Sequence, residues 1–283
     1  PSKEPWRIAR GECPMAFFIE PLQYQFFVHG LVAALLVGCL CGLLGVYIVL
    51  RQMSYIGHGL SHAVFGGAVV SHLLGVNVYV GAGLWGFGAA VLIHRLTTRR
   101  DLHADAVIGI VTTASFAVGV ALMSRVHRFT QDFEAVLFGN VLGVSEHDLL
   151  LIAVVTVLTG LVVAALYKQL LFSAFDEAVA QVAGVPTRLV YLLFACILAL
   201  AILASMQVLG VTLIAATIVI PAATARLLTH GFSTMLVLST VLGGVTALGG
   251  MYLSYYVDMA SGASIVLCAA LLFVAVLSLS RHR

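Results

Sequence analysis

Charge is scarce in this chain. Of its 283 residues 9% are Asp, Glu, Lys or Arg, where an average soluble domain carries roughly 25%. Lysine is almost missing, with Lys3 and Lys168 set against twelve arginines. A water-soluble fold of this length needs more polar surface than that, so a soluble globular protein is excluded. The net charge of +2 supplies no basic face for nucleic acid. The five cysteines, Cys13, Cys39, Cys41, Cys196 and Cys268, form no Cys-x-x-Cys pair, which removes zinc-finger and dithiol-redox readings. Neither lysine sits in a Gly-Lys-Ser/Thr string, so the chain has no phosphate loop of its own.

What is abundant is apolar sequence, 61% of the residues. Stretches free of Asp, Glu, Lys and Arg cover 21–50, 52–94, 106–124, 149–167, 189–225, 227–257 and 259–280. A transmembrane helix takes about 20 such residues, and two of these stretches are long enough to fold back. Gly75 and Asn77 mark a turn in one, and Met206, Gln207 and Gly210 in the other. The expectation is an all-α, polytopic membrane bundle of nine helices, near 27–50, 54–74, 78–96, 105–124, 148–171, 187–205, 209–227, 233–256 and 262–280. Pro221 and the shortness of 209–227 leave eight spans as the alternative. Residues 1–15 read as a polar N-terminal extension and 16–283 as a single transmembrane domain. With the N-terminus outside, Arg51, Arg95, Arg99, Arg100, Lys168, Arg188, Arg226, Arg281 and Arg283 face the cytoplasm, as the positive-inside rule requires. Glycines at close spacing, such as Gly38 with Gly42 and Gly249 with Gly250, suit helix packing in lipid.

Ionisable groups inside a bilayer are costly and mark a path or a partner. His29, His58, His62 and His72 fall within the first helices. His58 and His62 are four apart, so both rings leave one helix face, a usual way of offering two nitrogens to one metal ion. Gly57 and Gly59 leave room beside them, and Ser61 lies between. His72 is fourteen residues beyond His58, roughly 21 Å along the helix, so it can line the same path without sharing the site. Asp105, at the start of a helix, is the leading carboxylate ligand; the alternative is that it caps that helix. The bland reading of the histidines is hydrogen bonding between helices. An intramembrane metalloprotease would need His-Glu-x-x-His, and here Gly59 follows His58, so hydrolysis has no general base.

The segment 172–186 contains a second pattern. Asp176 can cap a short helix with Glu177 in its first turn, Ala180 stands on a small-residue face, and Gly184 and Pro186 end it. Such a helix, with Phe175 before it, suits docking into a groove on a cytoplasmic partner. The alternative is a plain connecting turn.

Five segments taken in order resemble the membrane permeases of bacterial ABC importers for zinc, manganese or iron. Tyr55-Ile56-Gly57-His58-Gly59-Leu60-Ser61-His62-Ala63 is similar to that family's Gly-Asp-Ala-Leu-Ser-His-Ala. Asp105 through Ile110, Leu137 through Gly143, Asp176 through Gly184, and Gly210 through Ala225 resemble four more of its motifs. The resemblance implies a fold like the vitamin B12-type importers, a multi-pass location in the bacterial inner membrane, and a homodimer. It further implies separate cytoplasmic ATP-binding subunits and an extracytoplasmic metal-binding protein that delivers the ion. The segment 172–186, including Phe175, Asp176, Glu177, Ala180 and Gly184, would couple to the ATPase. The cargo would be Mn2+ or Zn2+, with Fe2+ next, and no resident cofactor is implied. One departure stands out: the family's aspartate is His58 here. Nitrogen ligands suit zinc and iron and do not exclude manganese. The expectation leans to manganese. A secondary carrier working without ATPase and a siderophore or vitamin permease are the competing readings.

Overall fold

The computed structural model describes residues 19–97, 104–124 and 137–280. The polar segment 1–15 lies outside the described residues, as do Arg99, Arg100, Arg281 and Arg283. Helices account for nearly all of it, and the described residues contain no strand. In chain order they are α1 (Gln25–Leu50), α2 (Ser54–Leu73), α3 (Val78–Thr97), α4 (Ala104–Ser124), α5 (Glu146–Ala165), α6 (Tyr167–Phe175), α7 (Glu177–Val182), α8 (Thr187–Leu209), α9 (Ile214–Leu228), α10 (Phe232–Val257) and α11 (Ser261–Ser280).

Seven of the described helices are long and apolar enough to cross a bilayer by themselves. The nine expected spans include two more. Helix α2 carries three histidines and three serines, which lower its hydropathy. Helix α9 has 15 residues, fewer than the hydrocarbon core demands. Both are held by protein rather than by lipid. Ile56, Leu60, Val64 and Phe65 of α2, and Ile214, Ile218, Ala222 and Ala225 of α9, are 0–1% exposed. Pro221 stays inside α9, whose neighbours tolerate the lost hydrogen bond.

Two boundaries differ from the sequence expectation. The helix expected over 148–171 stops at Ala165, and Leu166 turns the chain into the separate helix α6. The break expected at Met206 and Gln207 falls later, since α8 runs through Leu209 and ends where Gly210 adopts φ 74°. Gly139, with φ 80°, packs against that same corner. A Cβ on Gly139 would lie 2.5 Å from the Val208 carbonyl oxygen, so both positions need a residue without one. The Asn140 amide donates to the Gln207 carbonyl at 2.8 Å, and Thr212 Oγ1 donates to the Leu137 carbonyl at 2.8 Å. The segment 137–143 is thereby fastened over the outer end of α8.

Helix α1 is the central post. It is enclosed over most of its length and packs most extensively on α10. The two backbones meet at Gly38 and Gly243, where a Cβ on either would overlap the other's carbonyl. Ser239 Oγ seals the crossing with a 2.6 Å hydrogen bond to the Gly42 carbonyl. In lipid, where apolar surface gives no drive to associate, such close backbone approach is what holds helices together.

The ends sort into two sets. Tyr79, Asp148 and Gln207 meet at one: the Tyr79 hydroxyl donates to the Asp148 carboxylate and accepts from the Gln207 amide. Arg51, His94, Glu177 and Tyr191 meet at the other. The second set contains Arg51, one of the basic residues that the orientation expectation placed in the cytoplasm.

Gly243→Leu is expected to lower the stability of the detergent-purified protein by about 1–3 kcal/mol or more through overpacking. Gly160→Ala, with nothing within 4 Å of its new Cβ, should leave the unfolding midpoint unchanged or raise it. Thermal unfolding of both variants checks this.

Candidate functional site

Helix α2 starts just after a turn in which Gln52 adopts φ 55°. Four residues in comes His58 and eight residues in comes His62, about 6 and 12 Å along the axis. Both lie in the cytoplasmic half of the helix. Gly59 admits a close neighbour: a Cβ there would lie 2.8 Å from Ile108 and from Thr112 of α4, whereas one on Gly57 would meet only ordinary contacts. Helices α2 and α4 run side by side in the same direction, which sets Phe116 beside His62 with ring centroids 4.6 Å apart.

The two imidazoles meet at right angles, with ring centroids 4.4 Å apart and an interplanar angle of 89°. Their Nε2 atoms are 3.1 Å apart and share a hydrogen bond. Two nitrogens on one tetrahedral zinc at about 2.0–2.1 Å sit about 3.3 Å apart. The pair therefore needs little adjustment to exchange its shared proton for a metal ion. His58 is exposed on the surface of the chain, while His62 is half-buried. His62 Nδ1 is buried and has no hydrogen-bond partner. An unprotonated Nδ1 on His62 avoids a buried donor without an acceptor, the arrangement in which His62 Nε2 donates to His58 Nε2.

The other expected site residues separate from the pair. Ser61 is fully buried, and its hydroxyl donates to the His58 carbonyl at 2.7 Å. It braces the helix turn and does not face the opening. His72 is exposed in the last turn of α2, ten residues beyond His62 and so about 15 Å toward the outer end. Asp105 is exposed in the first turn of α4. Among the described residues no group of three or more His, Cys, Asp and Glu side chains gathers around a point. Asp105 thus does not complete a ligand set with His58 and His62 inside one copy of the chain. Phe116 was not legible as a site residue, because its contact with His62 depends on the register of α4 against α2.

At the end of the bundle that carries Arg51, Asp176 Oδ1 caps α7, accepting from the Ala178 and Val179 amides at 2.9 and 3.0 Å. Ala180 is fully buried, so α7 rests on the bundle through its small face. Gly184 reverses the chain at φ 81°, which a Cβ would disfavour. Glu177 reaches back to Arg51 at 3.7 Å. The outer face of this unit is apolar: Phe172, Phe175, Val179 and Val182 are 50%, 66%, 54% and 91% exposed. The two valines are three apart on α7, a spacing that the sequence contained but that meant nothing until the helix's buried face was known.

A bundle with seven helices able to span a bilayer, a histidine pair open on one side and an exposed apolar knob at one end is that of a membrane-spanning subunit. Residues 23–280 match the ABC 3 transport family, and the chain belongs to that family. Its relatives include the manganese transport system membrane protein MntC of Halalkalibacterium halodurans, 38% identical over 257 residues, covering 91% of this chain and 88% of that protein. The chelated iron transport system membrane protein YfeD of Yersinia pestis is 36% identical over 258 residues, covering 91% and 86%. Among solved structures, PsaBC from Streptococcus pneumoniae in complex with Fab superposes with a TM-score of 0.84 at 34% identity, covering 93% of this chain and 95% of that one. The chain is a multi-pass inner-membrane permease of all-α fold.

Cobalt(II) added to the purified permease is expected to give the visible absorption of a nitrogen-ligated ion. His62→Ala should abolish that absorption with the helical circular dichroism unchanged.

Proposed function

We propose that this permease carries a divalent transition-metal ion inward, manganese first and zinc or iron next, and that His58 and His62 are the ligands the ion meets in transit. The carrying observation is where the pair stands. Two hydrogen-bonded imidazoles open to the side of a membrane helix are costly against hydrocarbon, so that face is covered by something polar or by more protein. A second copy of the chain fits. Gly109, Thr113 and Ala117 of the neighbouring helix α4 form an exposed stripe of small residues, the kind of surface along which membrane helices associate. In a homodimer the path runs between the copies, and each copy contributes its histidine pair. The manganese transport relatives favour manganese as the cargo over a vitamin.

Weak ligation is part of the mechanism. An ion on His62 Nε2 moves the ring proton to Nδ1, where no acceptor waits. Leaving that donor buried and unpaired costs about 1–3 kcal/mol, and an ion that must leave again is served by a shallow site. His58, standing where the motif it resembles has an aspartate, lowers the site's negative charge and acts in the same direction.

Energy comes from separate ATP-binding subunits that seat on the apolar face of α6 and α7, and an extracytoplasmic metal-binding protein delivers the ion. ATP binding draws the two docking units together, the halves rock, and access to the pair alternates. A carrier working alone on a proton gradient would need carboxylates within its spans. Among the described residues Asp105, Glu146 and Asp148, in the first turns of their helices, are the only acidic residues in the spanning helices.

Metal-resolved uptake into vesicles holding permease and ATPase tests this. His62→Ala is expected to reduce manganese uptake on the order of a hundredfold, given that even ligand-orienting groups contribute 10–100-fold; uptake unchanged in both His58→Ala and His62→Ala would remove the site. His58→Asp should keep transport while shifting preference toward manganese over zinc, because a carboxylate favours the harder ion. Val182→Arg should release the ATPase subunit, measured by co-purification.

A further inference from the structure

Arg51 stands at the junction of three elements and is not used by any step above. It follows the last residue of α1, and its side chain is 10% exposed. A guanidinium so enclosed needs compensation, and it has two partners. One is Glu177, the first residue of α7, with Nη2 3.7 Å from Oε2. The other is the ring of Tyr191 in α8, whose centroid is 5.3 Å from Cζ, within the range of a cation–π contact. The Tyr191 ring is in turn stacked on His94 of α3, with centroids 5.2 Å apart and planes 29° from parallel. Its hydroxyl is buried without a hydrogen-bond partner, so the residue acts here through its ring and not through its oxygen.

The backbone around Arg51 folds back on the end of α1 and leads directly into α2. Its amide donates to the Tyr47 carbonyl at 3.0 Å, and the Met53 amide donates to the Ile48 carbonyl at 3.0 Å. Between them Gln52 holds φ 55°, a conformation uncommon for a residue with a side chain. His58 is seven residues from Arg51 and about one helical turn into α2. Helix α1 is fixed by its glycine crossing with α10, and the turn at Gln52 is the covalent link from Arg51 to the start of α2.

We propose that Arg51 is a positioning residue that transmits displacement of the docking helix α7 to the His58–His62 pair. The Glu177 carboxylate moves with α7. The Arg51 guanidinium, guided along the face of Tyr191, follows it because separation leaves a buried charge unpaired. The turn at Gln52 then re-aims the first two turns of α2, and with them both imidazoles. This rests on the reading of α6 and α7 as the ATPase seat.

The test measures ATP hydrolysis and manganese uptake together, in vesicles containing the permease and its ATPase subunit. In Arg51→Gln hydrolysis is expected to continue while ions moved per ATP fall at least about fivefold, the lower end of ordinary coupling between sites. Arg51→Lys should recover at least half of the ratio. Tyr191→Leu should behave as Arg51→Gln, and Tyr191→Phe as the wild type. Should Arg51→Gln fail to assemble, Tyr191→Leu gives the same readout with both charges in place. A wild-type ratio in Arg51→Gln or in Tyr191→Leu overturns the proposal, as does a parallel fall of hydrolysis and uptake. Val182→Arg separates the two readings: an ATPase that stays bound to that variant removes the docking surface itself, whereas a failed Arg51 result leaves it standing.

Discussion

An imidazole pair placed on the side of a membrane helix imposes a condition on everything near it, because hydrocarbon cannot solvate it. Helix α2 meets that condition by being enclosed on its other faces. Its apolar residues are driven into α3, α4, α8 and α9, and its glycines let α4 and α3 approach closely. The face carrying His58 and His62 is left open. The hydropathy that α2 lacks is made up by its neighbours, and α1, α10 and α11 in the same way shelter the short, proline-containing helix α9. A helix that would not hold in lipid alone becomes possible because the bundle is its solvent.

The framework is stiff where the site is not. Glycine-mediated contact fixes α1 to α10, and the segment 137–143 is clamped on the outer corner of α8 by hydrogen bonds at 2.8 Å. By contrast, the start of α2 hangs from a single turn with a left-handed Gln52, and α7 rests on the bundle through one six-residue helix. Rigid core and compliant cytoplasmic edge are what alternating access needs: closed packing cannot bend continuously, so motion concentrates where contacts are few.

Much of this was legible in the residues. The all-α membrane bundle follows from runs without charge, though seven of the described helices rather than the expected nine are long and apolar enough to span by themselves, and the turns at Gly75 and Gly210 follow from glycine. The Asp176 cap and the Gly184 stop predicted α7 residue by residue, since capping is a local matter. The spacing of His58 and His62 put their rings together without help from tertiary structure. What could not be read was whatever depends on how helices meet. Ser61 turned inward to the His58 carbonyl, and its hydroxyl has a local partner that sequence does not rank above a path. Asp105 sits on a different helix from the pair, and only packing shows that the two do not converge in one copy. Phe116, Arg51 and Tyr191 became visible through contacts between residues far apart in the chain, for which one sequence carries no local signal.

The central claim is that a metal ion in transit takes nitrogen from His58 and His62. Electron–nuclear double resonance on manganese(II) bound to the permease, with imidazole nitrogen isotopically labelled, addresses it directly. The account predicts couplings from histidine nitrogen that disappear when both residues are replaced. A bound manganese with oxygen ligands alone, in a permease that still transports, would contradict it.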